Sequence, residues 1–490
     1  MKAEMDIKKL RSLVVAILLC WGCAKIDPMR QIAEMESKGQ FIEAKNFIAR
    51  YLEEKEADLS PALLRQMEFE KERLARIRKD YDLLEDSLIS SLEKSVKDFS
   101  PEEFYQWDRA GYFDRKVIDG TKYYFDRSLD NLFFRYPEIR KRSIGWKDLD
   151  TVGRERWQHY LKIREAAQTT PGPLVLPQRY RVKMTITVDR EAVPEGKTVR
   201  CWMPYPRVFP SQTDVEFVSS SPEIRWMCHP ESDIRSVYLE EVVEHDKPTR
   251  FELEYEYTCY AVYERVDPAK VLPYDPDDPI YERYARPQPP HVLFIPELKQ
   301  LAENIVGGET NPWLKAKLIY DWMAQNILYS FARDYSTLPN ISRYVYQHRY
   351  GDCGQQALLF ITLCRISGVA ARWQSGWMAR PGHPGQHDWA EIYIEPYGWL
   401  PVDVTRGVFF NNYVDSLTPQ QCQEGADFYC GGIDHFRLVA NKGHDLKLYP
   451  PKRSFRSDPV DFQRGELEYD DVNLFFDEFK CEMEVVAIEE

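Results

Sequence analysis

Tyr350-Gly-Asp-Cys-Gly-Gln-Gln-Ala-Leu-Leu-Phe-Ile-Thr-Leu-Cys-Arg-Ile-Ser-Gly368 decides the reading of this chain, because it sets a cysteine at the start of a strongly apolar helical pattern. Asp352 has the short oxygen-bearing side chain that caps a helix and Ser367-Gly368 ends one, so Cys353 falls in the first turn. Unpaired backbone N–H groups and the helix dipole stabilise a thiolate there, and they lower a thiol pKa from about 8.5 toward roughly 3.5–7.5. The same N–H groups can hold an oxyanion. The charge of Asp352 opposes a thiolate, so the cysteine still needs a base. Cys364, deeper in the apolar pattern, has the character of a structural cysteine.

The base comes from His387-Asp-Trp-Ala-Glu-Ile-Tyr-Ile394, followed by Glu395-Pro-Tyr-Gly398 and Trp399-Leu-Pro-Val-Asp-Val-Thr405. Read as an antiparallel hairpin, the even positions Ala390, Ile392, Ile394, Leu400, Val402 and Val404 make an apolar face. The odd positions carry His387, Trp389, Glu391, Tyr393, Trp399, Asp403 and Thr405. With the turn centred near residue 395, His387 and Asp403 become cross-strand neighbours, the register being open by a residue or two. An imidazole held by a carboxylate is what a cysteine nucleophile requires; otherwise these are two polar residues facing solvent on an ordinary hairpin. Asp388 should point to the opposite face, and His383 lies off the strand pattern. Trp377, Trp389 and Trp399 either wall the site or pack, and Glu391 gives structural support.

Taken together, Gly351-x-Cys353, Arg365-x-x-Gly368-Val-x-x-Arg372, His387-x-Trp389-x-Glu391-x-Tyr393 and Trp399-x-x-x-Asp403-x-Thr405 resemble the bacterial transglutaminase-like family over about residues 300 to 410. The resemblance implies a papain-like α+β core in which the cysteine sits at a helix start and a sheet delivers the histidine and aspartate. It also implies acyl transfer from an amide through a thioester, released to water or to an amine. Gln347, six residues before Cys353, stands where papain-like enzymes keep an oxyanion donor, or is a plain loop glutamine. The stretch before it, with Arg200-Cys-Trp-Met-Pro-Tyr-Pro206, resembles the β domain that often precedes such cores.

At 490 residues the chain exceeds what one hydrophobic core organises, and it reads as a multidomain α+β protein. An export signal over 1–23 precedes a helical domain over 24–170, whose helices start at Ser60-Pro61 and Ser100-Pro101-Glu102-Glu103. A hairpin over Ile118-Asp-Gly-Thr121 interrupts that domain. Period-two alternation in Tyr180, Val182, Met184, Ile186 and Val188, and again in Phe251, Leu253, Tyr255 and Tyr257, marks an antiparallel β-sandwich over 171–264. Residues 265–296 read as a proline-rich linker, 297–450 as the transglutaminase-like core and 451–490 as a C-terminal extension.

The formal net charge of −14 gives no basic footprint for nucleic acid. Lys8, Lys9 and Arg11 before the apolar run Leu13–Leu19 read as a secretory signal, too short to span a bilayer. Gly22-Cys23 resembles a bacterial lipoprotein signal with Cys23 lipidated, which implies a periplasmic or outer-membrane-associated protein anchored to the membrane. An ordinary secreted protein or an uncleaved anchor are the other readings. Cys422 with Cys430 and Cys201 with Cys259 either bridge or stay free thiols. The cysteine spacings fit no zinc signature, prolines around Asp275, Asp277 and Asp278 prevent a calcium loop, and no metal or cofactor is expected. The expected function is an exported Cys-His-Asp enzyme acting on amide bonds of peptides or proteins, by hydrolysis before cross-linking. The other reading is a catalytically vestigial, lipid-anchored binding or assembly module.

Overall fold

The computed structural model describes residues 27–489. The expected export signal, with Cys20 and the lipidation candidate Cys23, lies outside the described residues. The chain forms two compact units, one built from the chain up to Ile89 with Phe113–Asp126, the other from Ser90–Tyr112 and Arg127 onward.

In the smaller unit, helices α1 (Pro28–Ser37), α2 (Phe41–Lys55) and α3 (Pro61–Asp80) precede the strands β1 (Tyr81–Leu83), β2 (Arg115–Ile118) and β3 (Thr121–Phe125). The Ser60 side chain accepts the Leu63 N–H and Pro61 occupies the first turn, so α3 begins where the sequence predicts. Asp119 at φ 48° and Gly120 at φ 86° both take the left-handed region, the geometry of a type I′ turn, and Ile118 pairs with Thr121 across it. The span 24–170 is therefore not one helical domain. It is divided between the two units, and β1 returns to pair with β3 in a small antiparallel sheet.

The larger unit enters its β region through the long helix α4 (Leu149–Thr169), capped by Asp148. The strands β4 (Leu174–Val188), β5 (Thr198–Pro204), β6 (Gln212–Ser221), β7 (Trp226–Met227), β8 (Ser236–Val242) and β9 (Arg250–Val262) follow. Next comes a helical and sheet core. Its helices are α5 (Pro279–Tyr284), α6 (Pro296–Val306), α7 (Pro312–Asn326), α8 (Ile341–His348), α9 (Cys353–Ile366), α10 (Val404–Tyr413) and α11 (Pro419–Phe428). Its strands β10 (Ala371–Met378), β11 (Gly385–Ile394), β12 (Gly398–Val402) and β13 (Arg437–Asn441) form an antiparallel sheet in the order β12-β11-β10-β13. Helix α9 is buried from Gly354 to Arg365 and packs against Ala371, Trp373, Ala390, Ile392 and Ile394 on one face of that sheet.

The chain ends in β14 (Glu466–Tyr469), β15 (Val472–Leu474) and β16 (Phe479–Ile488), which return to the β region. One sheet runs β15-β14-β5-β8-β7 and the other β16-β4-β9-β6. Residues 451–490 are thus not an appendage: they supply strands to both layers. Alternation of Phe479, Met483 and Val485 carries that signal, but it is masked in β14, where Glu466 and Glu468 are buried at 1% and 0% exposure. Those carboxylates are satisfied by Lys452 at 3.1 Å, by Arg456 at 3.2 Å, by Arg200, and by the N–H groups of Arg453, Ser454, Ser457 and Asp458.

Tyr180, Val182, Met184 and Ile186 of β4 face Phe251, Leu253, Tyr255 and Tyr257 of β9 at 0% exposure, and Arg181–Glu254 and Lys183–Glu252 pair on the other face. Each buried apolar side chain contributes about 1.5–3 kcal/mol, against about 0.2–1 kcal/mol for a cross-strand pair. The apolar face therefore sets the register.

Residues 265–296 are not a free linker. Tyr274 donates to the Tyr393 carbonyl, Leu272 N–H bonds to Glu395 O at 3.0 Å, Asp278 caps α5, and Val292 is fully buried. Tyrosines among the prolines give this segment an apolar surface to bury. The eight described cysteines, Cys353 among them, are free thiols.

Leu467 in β14 is 0% exposed while Val486 in β16 is 60% exposed. Leu467→Ala should destabilise the protein by about 2–5 kcal/mol, and Val486→Ala should stay within about 0.5 kcal/mol. Urea titration followed by circular dichroism checks both.

Candidate active site

Helix α9 begins at Cys353 because Asp352 caps it. Asp352 Oδ1 accepts the Gln355 N–H at 3.0 Å and the Tyr335 hydroxyl at 2.5 Å. A side chain on Gly354 would place a Cβ 2.3 Å from the Tyr335 hydroxyl and 2.8 Å from Asp388 Oδ2, so only glycine lets those groups close around the helix start. Cys353 itself keeps partial exposure.

His387 lies on β11, with its Nε2 2.7 Å from Asp403 Oδ2. The same oxygen accepts Arg437 Nη2 at 2.9 Å and lies 3.5 Å from Arg406 Nε. His387 is 5% exposed and Asp403 0%. Burial opposes ionisation of Asp403, but His387, Arg437 and Arg406 outweigh it and hold the carboxyl well below its ordinary range. Burial pushes the imidazole down to about 4, with Asp403 opposing and Arg406 and Arg437 adding to the drop. The resting pair is therefore a carboxylate and a neutral ring at neutral pH.

The contact differs in detail from a hairpin pair. Ala390 pairs with Val402, and β12 ends there. The Asp403 N–H bonds to Tyr429 O at 2.9 Å instead of to β11, and the Asp403 side chain accepts the Arg406 N–H at 3.3 Å to start α10. Asp403 thus reaches His387 diagonally from a helix cap, and Val404 and Thr405 are helical.

The thiol has a different neighbour. Strand alternation puts Asp388 on the face of β11 shared with Ala390 and Ile392, which is the face that α9 covers. The Cys353 thiol donates to Asp388 Oδ2 at 3.8 Å, and among the described residues no hydrogen bond joins it to His387. Asp388 Oδ1 accepts Gln463 Nε2 at 2.8 Å. Asp352, Asp388, Asp458 and Asp461 repel one another here. Burial and these neighbours push Asp388 and Asp458 well above the ordinary carboxyl range, and Asp352 and Asp461 up to about 6. Burial first, then Asp388 and Asp352, push the Cys353 thiol up as well. The helix start favours a thiolate, but the carboxylates and burial prevail.

Residues 299–404, which include Cys353, His387 and Asp403, match the family model of the transglutaminase-like superfamily. This segment is a transglutaminase-like core. An uncharacterized protein of Haemophilus influenzae is 25% identical over 215 residues, 38% of this chain and 57% of its own length. The uncharacterized protein YebA of Bacillus subtilis is 21% identical over 153 residues, 27% of this chain and 20% of its own. The alignments thus span little more than half of one relative and a fifth of the other. A solved structure of a candidate cysteine protease from Cytophaga hutchinsonii aligns with 65% of this chain and 93% of its own at 18% identity and a TM-score of 0.43.

Other positions of the transglutaminase-like core fall as follows. Gln347 is exposed on α8 and hydrogen-bonds to none of the three. His383 is exposed in the β10–β11 loop. Trp389 stacks on His387 at 5.9 Å with the Arg437 guanidinium 4.9 Å from its ring, while Trp377 donates to the Gln463 carbonyl and Trp399 packs on Tyr284 and Tyr393. Glu391 accepts Arg372 Nε at 2.6 Å and serves as a tether within the sheet. Sequence reasoning missed Asp388, although an acid in an apolar stripe marks it. It also missed Arg437 and Gln463, for which no local signal exists. Among the described residues no His, Cys, Asp or Glu cluster is arranged to hold a metal ion, and no helix is long and apolar enough to cross a membrane.

Two measurements follow from the charges. Asp403→Ala leaves Arg437 and Arg406 without their shared carboxylate and should cost about 3–5 kcal/mol in urea stability. Asp461, with its folded pKa raised to about 6, stabilises the fold below its unfolded value of about 3.9 and loses that contribution as pH rises to 6. That contribution is on the order of 1–3 kcal/mol between pH 4 and pH 7, and the buried His387, lowered to about 4, works in the opposite direction over the same range. Asp461→Asn should therefore gain stability relative to wild type as pH rises from 4 to 7, read by urea titration of both proteins.

Proposed function

We propose that the protein is a cysteine enzyme cleaving amide bonds in peptides or proteins, with Cys353 as nucleophile, His387 as base and Asp403 as the group that orients the base. The observation that carries this is the buried His387–Asp403 contact, which uses Nε2 and leaves Nδ1 without a hydrogen bond among the described residues. In the proposed reaction Cys353 Sγ attacks the amide carbonyl carbon while its proton passes to His387. The C–N bond then breaks, the proton leaves with the amine, and the acyl group remains as a thioester. Water, deprotonated by His387, attacks that thioester and restores the thiol. The thiol must first turn from Asp388 toward the imidazole, a tightening that substrate binding commonly brings about in such sites. Release to water is preferred over release to an amine, since no residue pattern marks an amine site. We assign the oxyanion to backbone N–H groups at the start of α9, since Gln347 is exposed on α8 and makes no hydrogen bond to the three residues.

We further read the chain as exported, with Cys23 lipidated, from the apolar run Leu13–Leu19 and Gly22-Cys23. Globomycin treatment or radiolabelled palmitate incorporation tests that part.

Iodoacetamide followed by peptide mapping tests the nucleophile. Cys353 should label faster than Cys481, the other partly exposed cysteine among the described residues, and its rate should climb from pH 6 to pH 9 because its thiol is held above the ordinary range. His387→Ala should slow it. Equal labelling of both cysteines would sink the assignment. Incubation with casein and a labelled amine separates hydrolysis from transfer, since amine incorporation marks the latter.

A second reading, a binding or assembly module with a vestigial site, is favoured by one observation: the thiol donates to Asp388 and not to His387. Retention of cellular function by Cys353→Ala would select it.

A further inference from the structure

A cleft of about 1150 Å³ lies between α4, the β10–β11 loop and the start of α10. Arg154, Arg156, Lys162, Arg380 and Arg406 line it, against the acids Glu155 and Asp434, in a chain whose net charge is −14. Both acids are already engaged, Glu155 by Arg380 at 2.9 Å and Asp434 by Arg437 at 2.9 Å.

Arg156 is the unusual member. Among the described residues no carboxylate pairs with it, its Nη1 is buried without a hydrogen-bond partner, and its guanidinium lies 4.1 Å from the Phe409 ring. Burial and the like charge of Arg406 push it down to about 9. Arg406 is only 6% exposed, and its Nε makes no hydrogen bond. Asp403, 3.5 Å from that nitrogen, is shared with His387 and Arg437. The buried Nε2 of His159 in the same wall is also unpartnered. Two guanidiniums held close together, with donors left open, are short of an anion.

We propose that this cleft is the subsite for a carboxylate carried by a peptide substrate, gripped by Arg156 and Arg406 on the Asp403 side of His387. The proposal rests on the assignment of Cys353, His387 and Asp403, and it names the substrate class: peptides that offer a carboxylate, on a side chain or at the C-terminus. A planar guanidinium matches a carboxylate through two parallel hydrogen bonds, which an ammonium group cannot reproduce. Exposed Lys162 at the rim adds long-range attraction that salt screens.

Fluorescence anisotropy on the Cys353→Ala full chain tests it without turnover. The probes are a fluorescein-labelled peptide alternating glutamate and glycine with a free C-terminus, its C-terminal amide, and the glutamine counterpart of each. The acidic peptides should bind about tenfold or more tightly than the glutamine peptides, the effect of one charge-assisted contact, and added salt should shrink the difference. A preference that survives amidation assigns side-chain carboxylates; the free-acid glutamine peptide binding above its amide assigns the terminal carboxylate. Either supports the subsite. Arg156→Met should abolish the preference, and Lys162→Glu, on an exposed position that leaves the fold intact, should reduce it. Equal binding of all four peptides, or a preference unchanged in both variants, overturns the proposal. Because binding is read in a protein without Cys353, failure of the labelling experiment leaves this result intact, and failure here leaves the nucleophile standing.

Discussion

Asp403 brings a full negative charge to a position with no solvent exposure, and four groups converge on that one carboxylate: the His387 imidazole, the Arg437 and Arg406 guanidiniums, and the N–H at the start of α10. A carboxylate buried alone would shift its pKa up and become neutral. Two cations and a helix start prevent that, and what they keep ionised in turn fixes the ring plane of His387. The orientation of the imidazole is therefore an outcome of charge balance among residues from β11, α10 and β13. Loss of one partner leaves the others buried and unpaired, which is the costly state.

Across the start of α9 the balance runs the other way. Asp352, Asp388, Asp458 and Asp461 repel one another, so the site holds protons that it would release in water. Asp352 cannot be dispensed with, because it caps the helix that presents Cys353. Burial, Asp388 and Asp352 keep the Cys353 thiol protonated, and the thiol donates to Asp388. On the proposed function, a substrate carbonyl entering beside Cys353 competes with Asp388 for the sulfur, which couples nucleophile activation to occupancy.

The helix start at Asp352-Cys353, the strand alternation around residue 390 and the I′ turn at Asp119-Gly120 were legible because each depends on neighbours in sequence. The His387–Asp403 meeting was legible only to within two positions. Whether Asp403 belongs to a strand or caps a helix depends on its N–H bonding to Tyr429, and nothing between residues 399 and 405 records that. Asp388 shows a different gap. Its orientation away from His387 follows from alternation, yet the side of the sheet that α9 covers is a tertiary fact, and it reverses what that orientation means. The C-terminal strands were obscured by Glu466 and Glu468, whose burial is compensated by Lys452, Arg456 and Arg200 from distant parts of the chain.

Those distant parts also explain why the β region and the transglutaminase-like core belong to one unit. Strand β13 carries Arg437, and the β region grips that strand at its backbone: Gln212 bonds to Val439 through both N–H and carbonyl, Tyr257 donates to Arg437 O at 3.0 Å, and the N–H groups of Arg207 and Arg235 bond to Val439 and Ala440. Gln463, from the stretch just before β14, holds Asp388 on the opposite face of the core sheet. The sandwich therefore touches both halves of the site, fixing through Arg437 the charge that orients His387 and through Gln463 the carboxylate that occupies Cys353. A core excised at residues 299–404 would retain the sulfur, the imidazole and Asp403, but it would lose Arg406, Arg437 and Gln463. Without Arg406 and Arg437 the burial of Asp403 is compensated by neither guanidinium, and the imidazole is held less firmly. The β region is in this sense part of what gives the core its geometry.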